Sequence, residues 1–585
     1  MTAAFRHPLT EAAATPPLAM PDQSFGVPFT DPAAPGIRSP RSVRAVRLAV
    51  LTLPLGVTTA LAWTGLGWFT VDGHLAATEA ALVAVTVVAF YWVVLSVATA
   101  VLGVFWRPRP QAAALHGLSI AILLPMYGEP ARQTIGNALA LLSPLTGWGR
   151  HRFSLHILSD TRDPVAAQAE LAAFSVARLA NPGLALHYRR RAANTDYKSG
   201  NIRDWVTKAG QDHDAMLILD ADSIMAPDSV ILMADRMATE PGLGLIQTVP
   251  RVLWGNTLWQ RLQSFASEVY GTNLGRGFAM WTGAEGNFLG HNALVRTRAF
   301  AACAGLPHLP GRAPRGGVIL SHDFVEAALI RRGGWGVKMM PEASESFEDT
   351  PETLPGYLRR DRRWCQGNMQ HLRLLATPGL HIVSRFHLFQ GAMAYLASVW
   401  WLALLTLWAL SGPGGALPDP FLANPFMPVW PDLPPVSQAV LTGTVGLMLL
   451  GPKLLGSAAH LRDRDFRLRD LPGFAVSVLV EIVLSVLLAP ALMVHQVRAV
   501  LQTLVGVNGG WMPHLTGRPG FRTLLRFHLT ETALGVTLLG LCFAGQIDLW
   551  LLPVAGSLAL TSLLSWLVQR NVASRWFLRP LGTDK

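Results

Sequence analysis

Met216-Leu217-Ile218-Leu219-Asp220-Ala221-Asp222 decides the fold class of the hydrophilic middle of this chain. Four apolar residues in a row suit a short buried strand, and two carboxylates follow at once. Side chains alternate along extended backbone, so residues two apart face the same way. Asp220 and Asp222 therefore offer their oxygens together at a strand end, a donor set suited to Mg2+ or Mn2+ held over a diphosphate. An isolated Asp-x-Asp is more often a solvated turn, by roughly ten to one, because short motifs match by chance. The neighbouring sequence reverses those odds.

Outward from this stretch the pattern repeats. An apolar run at 119–125 precedes a helical pattern at 131–142; 153–158 precedes 165–179; 184–188 precedes 202–209; 215–219 precedes 228–239; and another apolar run stands at 243–248. Strand and helix alternating at this spacing predict a mostly parallel sheet with right-handed crossovers. Such sheets bind ligands beyond the carboxyl ends of their strands. Polar residues fall at those ends: Tyr127, Gly128 and Glu129 after the first strand, Asp160 after the second, Arg189, Arg190 and Arg191 after the third, Asp220 and Asp222 after the fourth.

The rest of the chain is a different material. With 51% hydrophobic and 15% charged residues, the 585-residue sequence is too apolar for an ordinary soluble protein. Residues 48–71 and 80–106 carry no Lys, Arg, Asp or Glu, and each exceeds the roughly 20 residues that an α-helix needs to cross a bilayer. After residue 384 come apolar stretches at 388–410, 436–459, 471–487, 491–511, 530–546 and 549–569. The expected organisation is a disordered tail at 1–44, two transmembrane helices within 45–106, a cytoplasmic domain at 107–384, about six transmembrane or interfacial helices within 385–569, and a tail at 570–585. The tail at 1–44 is placed as disordered because its eight prolines among small residues bury no core.

Lys and Arg in short flanks orient the bundle. Arg38, Arg41, Arg44 and Arg47 precede the first span, Arg107 and Arg109 follow the second, and Arg462, Arg464, Arg467 and Arg469 separate two later ones. Residues 411–435 have no Lys or Arg, while the end of the chain has Arg570, Arg575, Arg579 and Lys585. This places the soluble domain and both termini in the cytoplasm, as in a bacterial inner-membrane protein. Arg518, Arg522 and Arg526 then require residues 471–511 to cross twice, turning near Pro490, or the second half to lie in the interface, because Arg498 and His495 make it a poor span.

The net charge of +11 belongs largely to membrane flanks, where anionic headgroups attract it, so nucleic acid is excluded as a partner and membrane lipid is expected. Three scattered cysteines make neither a disulfide framework nor a zinc site.

Further residues suit one chemistry. Asp160 fits a uracil N–H, or equally a helix cap before Pro164. Lys198, in Tyr197-Lys198-Ser199-Gly200-Asn201 at a helix start, suits a phosphate, with Gly200 permitting close approach. Arg189, Arg190 and Arg191 read best as a solvated charge run. Asp323, in Ser321-His322-Asp323-Phe324, suits the base that takes the proton of an attacking hydroxyl, and by itself also suits a cap. In the cluster 359–368, Arg363 suits a pyrophosphate, Trp364 the apolar face of a sugar, and Gln366 its hydroxyls.

Taken in order, Asp160, Asp220-Ala221-Asp222, Asp323 and Arg363-Trp364 followed by membrane spans resemble the family 2 processive glycosyltransferases, relatives of cellulose synthase. Gly290-His291-Asn292-Ala293-Leu294-Val295-Arg296, Ser321-His322-Asp323-Phe324 and the run 360–368 are similar to the glucans biosynthesis glucosyltransferase H branch. The resemblance implies a GT-A-like α/β domain inserted in a multispanning α-helical membrane bundle, UDP-glucose as donor, Mg2+ or Mn2+, an inverting mechanism and a growing periplasmic β-glucan as product. Periplasmic glucan-processing proteins are the implied partners. By position it assigns Asp160 to uracil, Asp220, Lys198 and Glu129 to the nucleotide sugar, Asp222 with Asp220 to the metal, Asp323 to catalysis, and Arg363, Trp364, Gln366, His291 and Asn292 to pyrophosphate and acceptor.

Two residues depart from the cellulose-type pattern: His322 stands where a Glu usually precedes the base, and Arg360 where a Gln precedes Arg-Trp by three. The stretch 508–518 lies where a gating loop is expected but does not match one. The nearer rival reading is a cellulose, hyaluronan or mannan-type synthase. The rival of another class is a transporter with a regulatory cytoplasmic domain, which predicts paired intramembrane charges and internal repeats; Glu481 stands nearly alone and no repeat is visible. A route for glucan through the bundle is expected near residues 388–410, with Trp400 and Trp401 as sugar-stacking candidates.

Overall fold

The computed structural model describes residues 16–70, 74–109, 111, 113–411, 436–464, 466–509, 517–572 and 577–578. Expectations for 1–15, most of 411–435, 510–516 and the basic residues Arg575, Arg579 and Lys585 fall outside them.

Ten strands are numbered here in chain order. They are β1 (Ser119–Met126), β2 (Arg152–Ser159), β3 (Leu186–Arg190), β4 (Ala215–Ile218), β5 (Ile224–Met225), β6 (Leu243–Gln247), β7 (Arg251–Val252), β8 (Ala293–Arg296), β9 (Gly336–Met339) and β10 (Ser346–Glu348). Seven of them form one sheet in the order β3-β2-β1-β4-β8-β6-β9, and β5-β10-β7 form a small second sheet. The strands β3, β2, β1 and β4 are mutually parallel. This is the doubly covered sheet that the apolar runs predict. Ile120, Ile122 and Leu124 face one buried cluster with Leu141, Leu142 and Phe174, while Ala121 and Leu123 face another with Ile202, Trp205 and Phe300. Burial on both faces is why these strands read as continuous apolar runs instead of alternating ones.

The next apolar run, β6, keeps the parallel direction of β4, but a strand that the sequence did not announce stands between them. The strand beside β4 is β8, and it runs antiparallel to both β4 and β6. Four residues, Ala293 to Arg296, carry too little periodicity to announce a strand. Tertiary pairing makes it one, and pairing also decides what the turn before it meets.

The N-terminal tail is a second correction. From Pro16 to Pro40 the chain is an extended strap docked on the soluble domain. Its backbone bonds to loop glycines, Gln23 N to Gly305 O (2.8 Å), Asp31 N to Gly333 O (3.0 Å) and Ile37 N to Gly334 O (3.3 Å). Met20 is buried in the same cluster as Trp205 and Phe300. A proline-rich segment builds no core of its own, yet extended backbone with an occasional apolar side chain docks well on a core that already exists. Asp31 accepts the indole N–H of buried Trp335 at 2.9 Å and caps the turn at Ala33 N, also at 2.9 Å. Asp31→Ala is expected to leave that indole unpaired and to lower stability by about 1–3 kcal/mol. Thermal unfolding of the detergent-solubilised protein checks this.

Helices Arg41–Phe69 and Ala77–Phe105 precede the domain, and Ile382–Ser411, Gln438–Asp463 and Leu471–Leu504 follow it. Among the described residues five helices are long and apolar enough to cross a membrane. Leu549–Ala559 and Thr561–Val568 form a pair bent by 53°, and Leu529–Phe543 has only 15 residues. Among the described residues, three of the long helices follow the domain, together with the bent pair and the shorter apolar helix.

Residues 471–504 are one helix with Pro490 inside, not a hairpin turning there. Packing overrides the lost hydrogen bond: Leu484, Leu488 and Leu492 join a cluster with Trp259, Leu354 and Leu358, and the Ser557 hydroxyl donates to the Leu487 carbonyl beside the proline. Phe474 near its start packs on Phe265, and His495 near its end bonds the Leu358 carbonyl at 3.1 Å. Both ends touch the soluble domain.

One intramembrane expectation also changes. Glu481 is bonded by Lys453 at 2.6 and 2.7 Å, so the charge is paired. Trp401 packs on Phe90, with ring centroids 5.4 Å apart, and Trp400 joins the same helix–helix cluster, each of them partly buried.

Candidate active site

Strand register assembles the site. Met126 of β1 pairs with Ser159 of β2, and Ser159 with Arg190 of β3, so the next residues, Tyr127, Asp160 and Arg191, form one row past the strand ends. Arg191 then grips Asp160 through Nε and Nη2, each at 2.7 Å. The antiparallel β8 closes the other side. Its Ala293 pairs with Ile218 of β4, so the turn Gly290-His291-Asn292 lies at the level of Asp220 and its neighbours.

The three arginines at the end of β3, Arg189, Arg190 and Arg191, read from sequence as a solvated run, are engaged one by one. Arg191 holds Asp160, Arg190 Nε bonds the Thr161 carbonyl at 2.9 Å, and Arg189 pairs with Asp204 and Asn201 on the helix Tyr197–Ala209. Register places each opposite an acceptor, which a linear reading of charge does not show.

Lys198, on the first turn of that helix, is the centre of the arrangement. Its ammonium bonds Asp220, and also the Gly290 carbonyl at 2.7 Å. Gly290 has φ +91°, and a Cβ on it would stand 3.5 Å from Asp323 Oδ2. Asp323 and Asp220 are thus two short steps apart, through Gly290 and Lys198. Gly200 plays a different part from the one its position suggests: its missing Cβ makes room for the Thr195 carbonyl.

The electrostatics separate the carboxylates. Burial raises the pKa of Asp220, but the Lys198 ammonium outweighs it and holds the group below the usual range. Asp222 keeps an open side, yet partial enclosure and then the Asp220 charge push it up to about 6. Asp323 is raised by burial and by Glu326, with His322 opposing. His322 in turn is raised, its burial outweighed by Glu326, whose carboxylate stands 3.1 Å from Nδ1. Glu129 is raised chiefly by burial, against the hydrogen bond its carboxylate accepts from Tyr127 N, with Asp220 near enough to add to the shift.

His291 faces Glu348 of β10 at 3.2 Å and also acts electrostatically on Asp220 and Asp222, so it belongs to the carboxylate end of the site. Asn292 is fully buried with φ +50°, and its amide donates to Ser346 Oγ at 2.9 Å and to the Phe347 carbonyl at 3.1 Å, tying β8 to β10. Asn tolerates this left-handed backbone better than most residues. Its role is to hold the Gly290 turn.

The run 359–368 forms much of the 18-residue helix Leu354–His371, capped by Thr353. Leu354, Leu358, Asp361, Cys365 and Met369 are buried on it at helical spacing. Arg363 lies close enough to Asp220 to feel its charge, and Trp364 is 39% exposed. Gly367 lets this helix press on the turn that carries Asp323, since a Cβ there would meet Ser321 N at 2.6 Å. His371 Nε2 and the Ser321 carbonyl stand 2.9 Å apart across the same contact. Gln366 is occupied by residues 508 and 509, donating to Asn508 Oδ1 at 3.1 Å and accepting from Gly509 N at 3.2 Å. The stretch 508–518, which stands where a gating loop is expected without matching one, thus begins against the cluster 359–368.

Sequence reasoning missed Glu170, 1% exposed, which accepts from the Ser159 and Thr161 hydroxyls and so braces the turn holding Asp160. A lone Glu in an alanine-rich helix face gave little signal.

A mostly parallel sheet with acidic residues at its strand ends, interrupted by one reversed strand and joined to apolar helices, is a GT-A-like glycosyltransferase of the membrane-associated kind. The model of the glycosyl transferase family group 2 matches residues 215–427. The chain belongs to the glucans biosynthesis glucosyltransferase H family. It is 39% identical over 529 residues to the glucans biosynthesis glucosyltransferase H of Vibrio cholerae serotype O1, covering 87% of this chain and 70% of that protein. It is likewise 39% identical over 588 residues to the one from Rhodopseudomonas palustris, covering 96% and 80%. Among solved structures, the mannosyltransferase of Pyrobaculum calidifontis in complex with GDP-Man and Mn2+ aligns with 79% of this chain and 99% of its own, at 12% identity and a TM-score of 0.42.

Proposed function

We propose that this chain polymerises glucose from UDP-glucose into the β-glucan backbone of periplasmic glucans, inverting the anomeric carbon at each transfer. The observation that carries the reading is the Lys198 bridge, which puts a cation between Asp220 and the Gly290 turn that abuts Asp323. A nucleotide diphosphate binds at the first, and the acceptor hydroxyl lies by the second. Asp323 takes the hydroxyl proton as the acceptor oxygen bonds the anomeric carbon and the bond to the diphosphate breaks, releasing UDP.

Asp160 and Glu129 serve the nucleotide, Lys198 and Arg363 the phosphates, and Trp364 the acceptor sugar. Asp222 and Asp220 hold Mg2+ or Mn2+, and the raised Asp222 pKa, driven partly by its like-charged neighbour, is what a cradle for a cation looks like before the cation neutralises it. Two carboxylates leave the remaining positions of such an ion to diphosphate oxygens and water. When bound, the ion neutralises charge on the leaving group.

Arginines flanking the first two helices support a cytoplasmic position for the domain and a periplasmic destination for the glucan. Membranes containing the protein, given labelled UDP-glucose and Mg2+, are expected to make a β-linked glucan whose linkage analysis separates it from cellulose, hyaluronan or mannan. Incorporation from GDP-mannose instead of UDP-glucose would overturn the donor assignment. In sealed vesicles, product found only on the UDP-glucose side would count against export.

A further inference from the structure

Trp259, Tyr357, Arg360 and Trp364 form a continuous ladder. The rings of Trp259 and Tyr357 meet at 66° with centroids 5.2 Å apart. The Arg360 guanidinium lies 6.0 Å from the Tyr357 ring centroid and 4.6 Å from that of Trp364. Residues 357, 360 and 364 are spaced by three and four, so one face of the helix Leu354–His371 carries them in a row. The ladder is anchored at one end, where Trp259 is 1% exposed and packed with Leu354 and Leu358, and open at the other, where Trp364 is 39% exposed.

Polar bonds do little to hold the guanidinium. Nη1 donates to the Asp349 carbonyl at 3.4 Å, and Nε is buried with no hydrogen-bond partner among the described residues. Stacking on the two rings is what fixes it, and a planar guanidinium stacks where a compact ammonium does not. Trp364 therefore has one face covered by Arg360, which leaves the other available to the apolar face of a pyranose.

We propose that Arg360 is a positioning residue for the acceptor: it clamps the Trp364 ring so that its free face receives the terminal sugar of the growing chain, and thereby sets how tightly that chain is held between transfers. The inference rests on the function proposed above and adds the residue that governs acceptor affinity.

The test uses the full-length protein in detergent or nanodiscs with labelled UDP-glucose and, as acceptors, glucose pentasaccharides of β-1,2 and β-1,4 linkage. Arg360→Ala and Arg360→Lys are both expected to raise the KM for the better pentasaccharide by about 3- to 30-fold, the range of a cation–π contact, and to shorten the polymer. The KM for UDP-glucose stays unchanged. In a Trp364→Leu background, loss of Arg360 adds no further change in acceptor KM. A Lys variant equal to the wild type, effects that simply add, or a parallel rise in the UDP-glucose KM would each overturn the clamp. Asp323→Asn separates this from the underlying reading: if it retains polymer synthesis the proposed function fails, whereas an inactive Asp323→Asn beside unaffected Arg360 variants rejects the clamp alone.

Discussion

Asp323→Asn is expected to lower glucan synthesis by about 10²- to 10⁴-fold, the range a positioned general base contributes. The amide fills the same space at the start of the helix His322–Arg332 but has no lone pair basic enough to take the acceptor proton. Because the neighbouring turn contacts are made by Ser321, Gly367 and His371, the change leaves the packing of the helix Leu354–His371 in place. The KM for UDP-glucose therefore stays near the wild-type value while kcat falls. A variant with wild-type kcat would remove Asp323 from the chemistry, and a fall confined to KM would move it to binding. The raised Asp323 pKa adds a pH signature: the carboxyl protonates at higher pH than an ordinary aspartate, so the acid limb of the rate profile begins early.

The second large effect is expected at Asp222. Asp222→Asn removes a hard anionic ligand and is expected to cut synthesis by at least about 10³-fold, several kcal/mol of transition-state charge stabilisation. Its pKa near 6 supplies two further readouts. At low Mg2+ the wild-type rate is expected to fall with a midpoint near pH 6 as the carboxyl protonates, and added Mg2+ shifts that limb to lower pH because cation and proton compete for the same oxygens.

Stability moves the other way. A carboxyl with a folded pKa above its unfolded value loses stability as pH rises through the window from about 3.8 to about 6, since the unfolded chain releases its proton first. Above pH 6, with Mg2+ removed, Asp222→Asn is expected to unfold at a higher temperature than the wild type, and at pH 4 the two converge. Equal unfolding temperatures at pH 7.5 would show that the crowding of Asp222 and Asp220 carries no strain.

Much of this site is legible in the linear order because strand ends are legible. β1, β2 and β4 are buried on both faces, which writes them as apolar runs, and whatever polar residue follows such a run stands at the binding edge of a parallel sheet. Asp160, Asp220 and Asp222 stand at such edges, whereas Lys198 is legible from its place at a helix start. The partners of these residues are not. That Arg191 holds Asp160, or that Lys198 spans Asp220 and Gly290, depends on register between strands and on a helix start, and register leaves no mark in the spacing of a single segment.

Composition likewise misled where a segment borrows its stability from elsewhere. Residues 16–40 have the makeup of a disordered tail and are ordered because Gly305, Gly333 and Gly334 let their backbone dock. Residues 471–504 contain the proline of a turn and stay helical because Leu484, Leu488 and Leu492 are clamped against Trp259 and Leu354.

The sequence by itself determined the class of fold, the presence of a membrane bundle and the acidic and basic residues of the site. Each of these follows from local periodicity, burial of whole elements or side-chain chemistry, all properties of short segments. Only the tertiary structure decided that β8 runs backward to bring Gly290 and His291 beside Asp220, and that Asn292 is a brace. Those outcomes are set by contacts between segments far apart in the chain, where the free energy of pairing and packing outweighs any preference the segments carry alone.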